Sequence, residues 1–304
     1  MSISRRKFIQ QTALLTAGSS LISKSLLAQP AAAPLVGIQL YSVRADMIAN
    51  AAGTLKNLSE MGFKYVEHAN YINRKFYGYT PKDFKKLLSD LGMEMRSGHT
   101  VMGKDHWDNS KKDFSDSWKY TVEDAATVGQ EYVISPWLDN SMRKTSDDLK
   151  RYMDIFNACG KLCQQWNMKF GYHNHDFEFT EKMGNVTLYE AILAHTDPEL
   201  VIQQLDTGNM HGTGAEAFSI VKKFPGRFLS LHIKDEIASK GKGEMGHNFE
   251  STLLGEGVVP VKDILAYCKE RGTRHIIIEQ ESYQQKTPLE TCKINLETLH
   301  NWGY

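Results

Sequence analysis

Several apolar runs in this chain end in a residue able to bind a proton or a metal ion. VIQQLD (201–206) ends in Asp206, and the turn residues Thr207-Gly208-Asn209 follow. A single Asp there would read as the cap of the next helix. The same grammar recurs along the chain. Runs end at Gln39 and Tyr41, at Glu67 and His68, at His99, at Pro136 and Trp137, and at His173 and His175. Two more end at His232, Lys234 and Asp235, and at Glu279 and Glu281. Period-two alternation turns His173 and His175 to one side, and does the same for His232 with Lys234 and for Glu279 with Glu281. Burying such groups unpaired is costly, and a divalent cation removes the cost. Asp206 and Glu279 with His232 and His173 form a mixed N/O set, which suits Mn, Co, Zn or Fe better than Ca or Mg.

The elements that would bring these residues together alternate regularly. Apolar strand-length runs begin near residues 36, 63, 93, 131, 168, 201, 227 and 275. Each is followed by a stretch of helical periodicity: 46–61, 81–91, 113–128, 146–166, 187–195, 215–224, 260–271 and 288–301. Gly62, Gly92, Gly129 and Gly272 read as helix stops and Ser146 as a helix cap. Eight β-α units without a low-complexity break predict one α/β domain over 35–304, a single (β/α)8 TIM barrel. Leu40-Tyr41-Ser42-Val43-Arg44 follows the first strand where a dinucleotide fold would carry its glycine-rich turn, so that fold is disfavoured.

The first 28 residues differ in kind. Ser4-Arg5-Arg6-Lys7-Phe8-Ile9 is a twin-arginine pattern, and the stretch TALLTAGSSLIS after it is too short and weakly apolar to span a bilayer. We expect a signal peptide over 1–28, a linker over 29–34, export to the periplasm and no stable membrane anchor. Without the leader cations Arg5, Arg6, Lys7 and Lys24, the 36 basic residues fall to 32 against 36 acidic ones. That balance gives no general attraction to nucleic acid. Cys159, Cys163, Cys268 and Cys292 show no zinc spacing and read as small core residues.

The strand-end residues also carry a resemblance. The motifs are Leu205-Asp206-Thr207-Gly208-Asn209, His232-Ile233-Lys234-Asp235, Gly255-Glu256-Gly257 and Ile278-Glu279-Gln280-Glu281. In these the chain resembles the xylose-isomerase-like barrel superfamily, specifically its sugar phosphate isomerases/epimerases. The superfamily also contains apurinic endonucleases and inosose dehydratase. The resemblance implies metal ligands on strands five to eight, ordinarily Glu, Asp, His and Glu. Asp206, His232 and Glu279 match, whereas the fifth strand offers His173, with Glu178 five residues on as the alternative ligand. The family's keto-sugar 3-epimerases exchange protons between two glutamates, so His173 departs from that pattern.

The implied chemistry is removal of a proton next to a carbonyl of a keto-sugar, assisted by the metal. Glu279, His175 and His173 are the candidate bases, and Lys234 is the candidate stabiliser of the developing oxyanion. Tyr41, Glu67, His99, Trp137 and His211 are the expected substrate contacts. Isomerisation or epimerisation is the first expectation. The alternatives are β-elimination from a keto-glycoside on the same site and a sugar-binding barrel without chemistry. The acidic mature chain counts against cleavage of abasic DNA.

Overall fold

The computed structural model describes residues 33–304, so the expected signal peptide (1–28) and most of the linker lie outside the described residues. Eight parallel strands close into a barrel: β1 (Leu35–Gln39), β2 (Tyr65–His68), β3 (Glu94–His99), β4 (Tyr132–Ser135), β5 (Lys169–His173), β6 (Val201–Asp206), β7 (Ser230–Ile233) and β8 (His275–Ile278). Each strand pairs with its sequence neighbours, and β8 closes on β1 through Leu35↔His275 to Ile38↔Ile278. Eight principal helices cover the outside: α1 (Arg44–Met61), α2 (Pro81–Asp90), α3 (Asp116–Val128), α4 (Ser146–Gln164), α5 (Leu188–His195), α6 (Ala217–Lys223), α7 (Val261–Lys269) and α8 (Pro288–Asn301). The expected (β/α)8 architecture is the one observed. Among the described residues no helix is long and apolar enough to cross a membrane. All four cysteines are buried, free thiols.

Local sequence explains where the helices begin and end. Thr145 and Asp148 cap α4 reciprocally, each side chain taking the other's backbone N–H at 3.1 Å. The cap is therefore Thr145 and not the expected Ser146, which is the first helical residue. Thr187 with Glu190 and Thr287 with Glu290 repeat the device on α5 and α8. Gly62 and Gly129 end α1 and α3 at φ 110° and 106°, a region that glycine enters without strain.

The strands are shorter than the apolar runs suggested. β1 stops at Gln39, whose side-chain oxygen takes the Tyr41 N–H at 3.2 Å and starts a 3-10 turn over Leu40–Val43. The run 227–235 does not continue as one strand. After β7, Asp235–Ala238 pairs antiparallel with Phe249–Thr252, so the glycine-rich segment 236–257 contains a hairpin. The cause is Asp235. Its carboxylate accepts the backbone N–H groups of Glu236, Gly255, Gly257 and Val259 at 2.9–3.0 Å. A Cβ on Gly257 would stand 2.2 Å from Asp235 Oδ1, which accounts for glycine at that position.

Replacing Thr145 with Ala should lower the unfolding free energy by about 1 kcal/mol. Ser146→Ala should change it by a few tenths only. Denaturant unfolding of both variants checks the assignment, and equal losses would contradict it.

Candidate active site

Four side chains converge at the C-terminal ends of β5 to β8. A ligand atom from each of His173, Asp206, His232 and Glu279 lies within 4.8 Å of every other. The register sets this up, because Asp206 pairs with His232 across β6–β7, while Gln204 pairs with His173 across β5–β6. His232 is fully buried between two carboxylates, with Nδ1 2.9 Å from Glu279 Oε2 and Nε2 2.6 Å from Glu67 Oε1. Burial alone would depress its pKa, but Glu67 and Glu279 raise it to about 10. Burial and the neighbouring His232 keep His173 neutral. Its Nδ1 meets Gln204 Oε1 at 3.1 Å, leaving Nε2 for a ligand.

Asp206 tests whether a cation fits. Its Oδ1 accepts the Gly208 and Asn209 N–H groups, both at 2.8 Å. Its Oδ2 is buried with no hydrogen-bond partner. A buried orphan acceptor of this kind costs about 1–3 kcal/mol, and burial pushes the Asp206 carboxyl up to about 7. An orphan carboxylate oxygen facing His232 Nδ1 at 4.0 Å and Glu279 suits a divalent ion held by two imidazoles and two carboxylates.

The groups behind this set were less visible in the sequence. Glu67, expected to touch substrate, is fully buried beneath the ligands. Gln39 donates to Oε1 at 2.8 Å, Gln204 donates to Oε2 at 2.9 Å, and Ser97 donates to Oε2 as well. Burial opposes its charge, yet His99 and His232 hold the carboxyl well below the usual range. Glu67 therefore orients His232, as the carboxylate behind a metal-ligating imidazole would. Gln204 is the hub that sequence reasoning missed. Its Oε1 meets both His99 Nε2 (2.7 Å) and His173, and its Nε2 donates to Glu67 and to Ser230. It stands two residues before Asp206, on the same side of the strand, so period-two alternation could have found it.

Three further expectations change. Lys234 is fully buried and does not line the cavity. Its Nζ donates to Asn209 Oδ1 (2.8 Å) and Glu281 Oε1 (2.7 Å) and lies 3.8 Å from both Asp206 and Glu279. It balances and positions the carboxylates rather than standing against a substrate. His211 packs edge-on against Phe249 at 4.7 Å, away from the cavity. Glu178, the alternative metal ligand, is turned away. It accepts the Tyr172 hydroxyl and, at 3.0 Å, the His175 N–H. Burial raises its carboxyl to about 7.

Above the ligands opens a cavity of about 930 Å³ that Tyr41, His99, Trp137, His173, His175 and Glu279 all line. His175 sits at its inner end with the Trp137 ring edge-on at 5.6 Å. Burial depresses its pKa to about 4, and its Nδ1 has no hydrogen-bond partner. It is therefore a neutral imidazole beside the candidate metal centre, its ring 5.1 Å from that of His173.

A profile described as Xylose isomerase-like TIM barrel matches residues 55–301. The chain belongs to that family. Inosose dehydratase 2 of Bacillus cereus is 30% identical over 158 residues, 48% of this chain and 52% of that protein. Inosose dehydratase of Bacillus licheniformis is 24% identical over 197 residues, 59% of this chain and 64% of that protein. The matched region thus spans between half and two-thirds of the length of these relatives. Among solved structures, a sugar phosphate isomerase/epimerase from Parabacteroides distasonis ATCC 8503 superposes with TM-score 0.72 at 22% identity, over 91% of this chain and 98% of that one. The IOLI protein with a bound zinc atom gives 0.65 at 15%, over 88% and 97%. At these identities the likeness is one of fold.

Asp206→Asn keeps the Oδ1 cap of the 206–209 turn and removes the carboxylate charge. It should fold and retain little metal, read by elemental analysis after dialysis. Glu67→Gln should weaken metal affinity by about 10–100-fold. Full metal content in Asp206→Asn would remove the centre. Glu178 gives a separate check through stability. Its proton is held by the folded state up to about pH 7 and by the unfolded chain only to about 4.5. Stability should therefore fall as pH rises between those values. Glu178→Gln should abolish a decline of about 3 kcal/mol, and an unchanged pH profile would refute the assignment.

Proposed function

We propose that this chain is a metal-dependent enzyme that removes a proton next to the carbonyl of a keto-sugar and then expels the oxygen substituent on the β carbon, as a dehydratase or other carbon–oxygen lyase. The observation that carries the reading is the asymmetry of the site. The His173–Asp206–His232–Glu279 cluster lies at the cavity floor with one neutral imidazole, His175, beside it. The carboxylate that a two-glutamate proton exchange would need does not face Glu279, because Glu178 is committed to Tyr172 and the His175 N–H. The inosose dehydratases among the relatives favour the same outcome over isomerisation.

A cation held by His173, Asp206, His232 and Glu279 supplies Lewis-acid polarisation of the carbonyl when bound. The chain's own residues do the rest. The His175 imidazole, kept neutral by burial, takes the proton from the carbon next to the carbonyl. The C–H electron pair becomes the new double bond. The β C–O bond breaks with its electrons on oxygen, and the same imidazolium returns the proton to that oxygen. Tyr41 and Trp137, both exposed on the cavity wall, offer faces for a sugar ring. Glu67, Gln204 and Lys234 hold the ligands' geometry and charge throughout. We further propose that the protein is exported by its twin-arginine leader and that the metal is Mn, Co, Zn or Fe, a choice based on the N/O donor set.

The test is incubation of metal-loaded protein with keto-sugars and inososes in deuterated water. Elimination should release water and give an unsaturated ketone absorbing in the ultraviolet. Deuterium appearing in intact sugar without elimination would mean an isomerase or epimerase instead. Binding without exchange at any carbon would mean a sugar-binding barrel.

A further inference from the structure

The cavity is far larger than one sugar ring. At about 930 Å³ it lies near the top of the roughly 300–1,000 Å³ range of pockets that enclose drug-sized ligands. It runs outward from the metal cluster between the hairpin Tyr71–Phe76, the 99–106 segment and α3. Its outer walls are apolar in a way the rest of the surface is not. Among the described residues ten large hydrophobic side chains are exposed. Six of them, Tyr41, Ile72, Val101, Tyr120, Trp137 and Met245, line this one cavity. Apolar side chains gathered in a single concavity mark a binding surface.

The walls also lack a phosphate clamp. Among the described residues lining the cavity, Arg74 is the only lysine or arginine. Its guanidinium is forked onto Asp124, with Nε 2.9 Å from Oδ2 and Nη2 2.6 Å from Oδ1, and Tyr71 donates to the same carboxylate at 2.6 Å. The Arg74 group also lies 4.2 Å over the Tyr120 ring. It is thus a clasp joining hairpin to helix. His106 is depressed by burial, and its Nδ1 accepts the Gly103 N–H. At the inner end the one nearby ammonium, Lys234, is buried and taken up by Glu281 and Asn209, so it is not free to clamp a phosphate.

We propose that the outer half of this cavity is a subsite for the apolar, ring-bearing aglycone of an unphosphorylated glycoside, whose oxidised sugar sits at the metal cluster. This rests on the elimination reading above and names the leaving group. With the ketone two carbons from the anomeric centre, the proton leaves the carbon between them and its electron pair forms the double bond to the anomeric carbon. The glycosidic C–O bond then breaks with its electrons on the aglycone oxygen, which departs as an alcohol or phenol carrying the proton from His175. No oxidant or reductant is consumed.

Calorimetric titration of the metal-loaded full chain tests the subsite without turnover. The probes are 4-nitrophenyl glucoside, methyl glucoside and glucose 6-phosphate, none of which carries the ketone. The aryl glycoside should bind at least tenfold tighter than the methyl glycoside. Ile72→Asp and Tyr120→Ala should each shrink that ratio below threefold. Ile48→Asp, on an exposed residue outside the cavity, should leave it unchanged. Equal affinity for both glycosides, no measurable binding of the aryl glycoside, or tightest binding of the phosphate would overturn the proposal. Aryl-selective binding in a protein that eliminates nothing from keto-glycosides would sink the reaction and leave the subsite standing.

Discussion

Negative charge held out of water at the barrel mouth is the constraint around which the molecule is built. Glu67, Asp206 and Glu279 are buried side by side, and one Asp206 oxygen has nothing to accept. Carboxylates packed this closely repel strongly in a weakly screened interior. His232, hydrogen-bonded between Glu67 and Glu279, and the Lys234 ammonium, 3.8 Å from both Asp206 and Glu279, offset part of that repulsion. A divalent ion at the orphan oxygen would supply the remainder. The surrounding backbone is shaped to the same end. A Cβ on Gly208 would stand 2.6 Å from Glu236 Oε1 and 2.7 Å from Lys234 Cγ, so glycine there lets the loop close over the lysine.

A barrel suits this task because its strands deliver side chains from distant parts of the chain to one end in fixed register. Glu67 on β2 reaches His232 on β7 across the interior, 165 residues away in sequence. Gln204 ties together groups from β2, β3, β5 and β7. Such a network pins each imidazole's tautomer: Gln204 takes His173 Nδ1 and Glu67 takes His232 Nε2, which leaves the opposite nitrogens toward the centre.

Much of this was legible before the structure. The β-α alternation announced eight units, and Asp206, His232 and Glu279 stood out as strand-ending candidates that the structure brings within ligand distance of one another. Both signals are local and periodic. What was not legible depends on contacts between strands that no spacing encodes. Glu67 looked like Asp206, an acid ending an apolar run, and only the closed barrel shows that it lies beneath the ligands. Lys234 looked like a free cation next to the chemistry, yet Asn209 and Glu281 occupy its ammonium. His211 shares its loop with Asp206, but the 3-10 turn at 211–213 carries it away from the mouth. Glu178 and His173 were alternatives for one role, and the Tyr172 hydroxyl with the His175 N–H holds Glu178 away from the cluster that includes His173. The run 227–235 read as one strand because its apolar pattern continues; Asp235, by collecting three amides from the 255–259 segment and that of Glu236, breaks it.

The clasp between Arg74 and Asp124 has an implication for how this barrel can change. It fastens the hairpin Tyr71–Phe76 to α3 without touching any residue of the candidate metal centre. The residues that select what enters and those that hold the charge therefore belong to separate mechanical parts. Substitutions along the hairpin and the outer face of α3 could retune which molecules are admitted while the inner geometry stays intact. A scaffold divided in this way can diversify its diet by altering its lips and keeping its teeth.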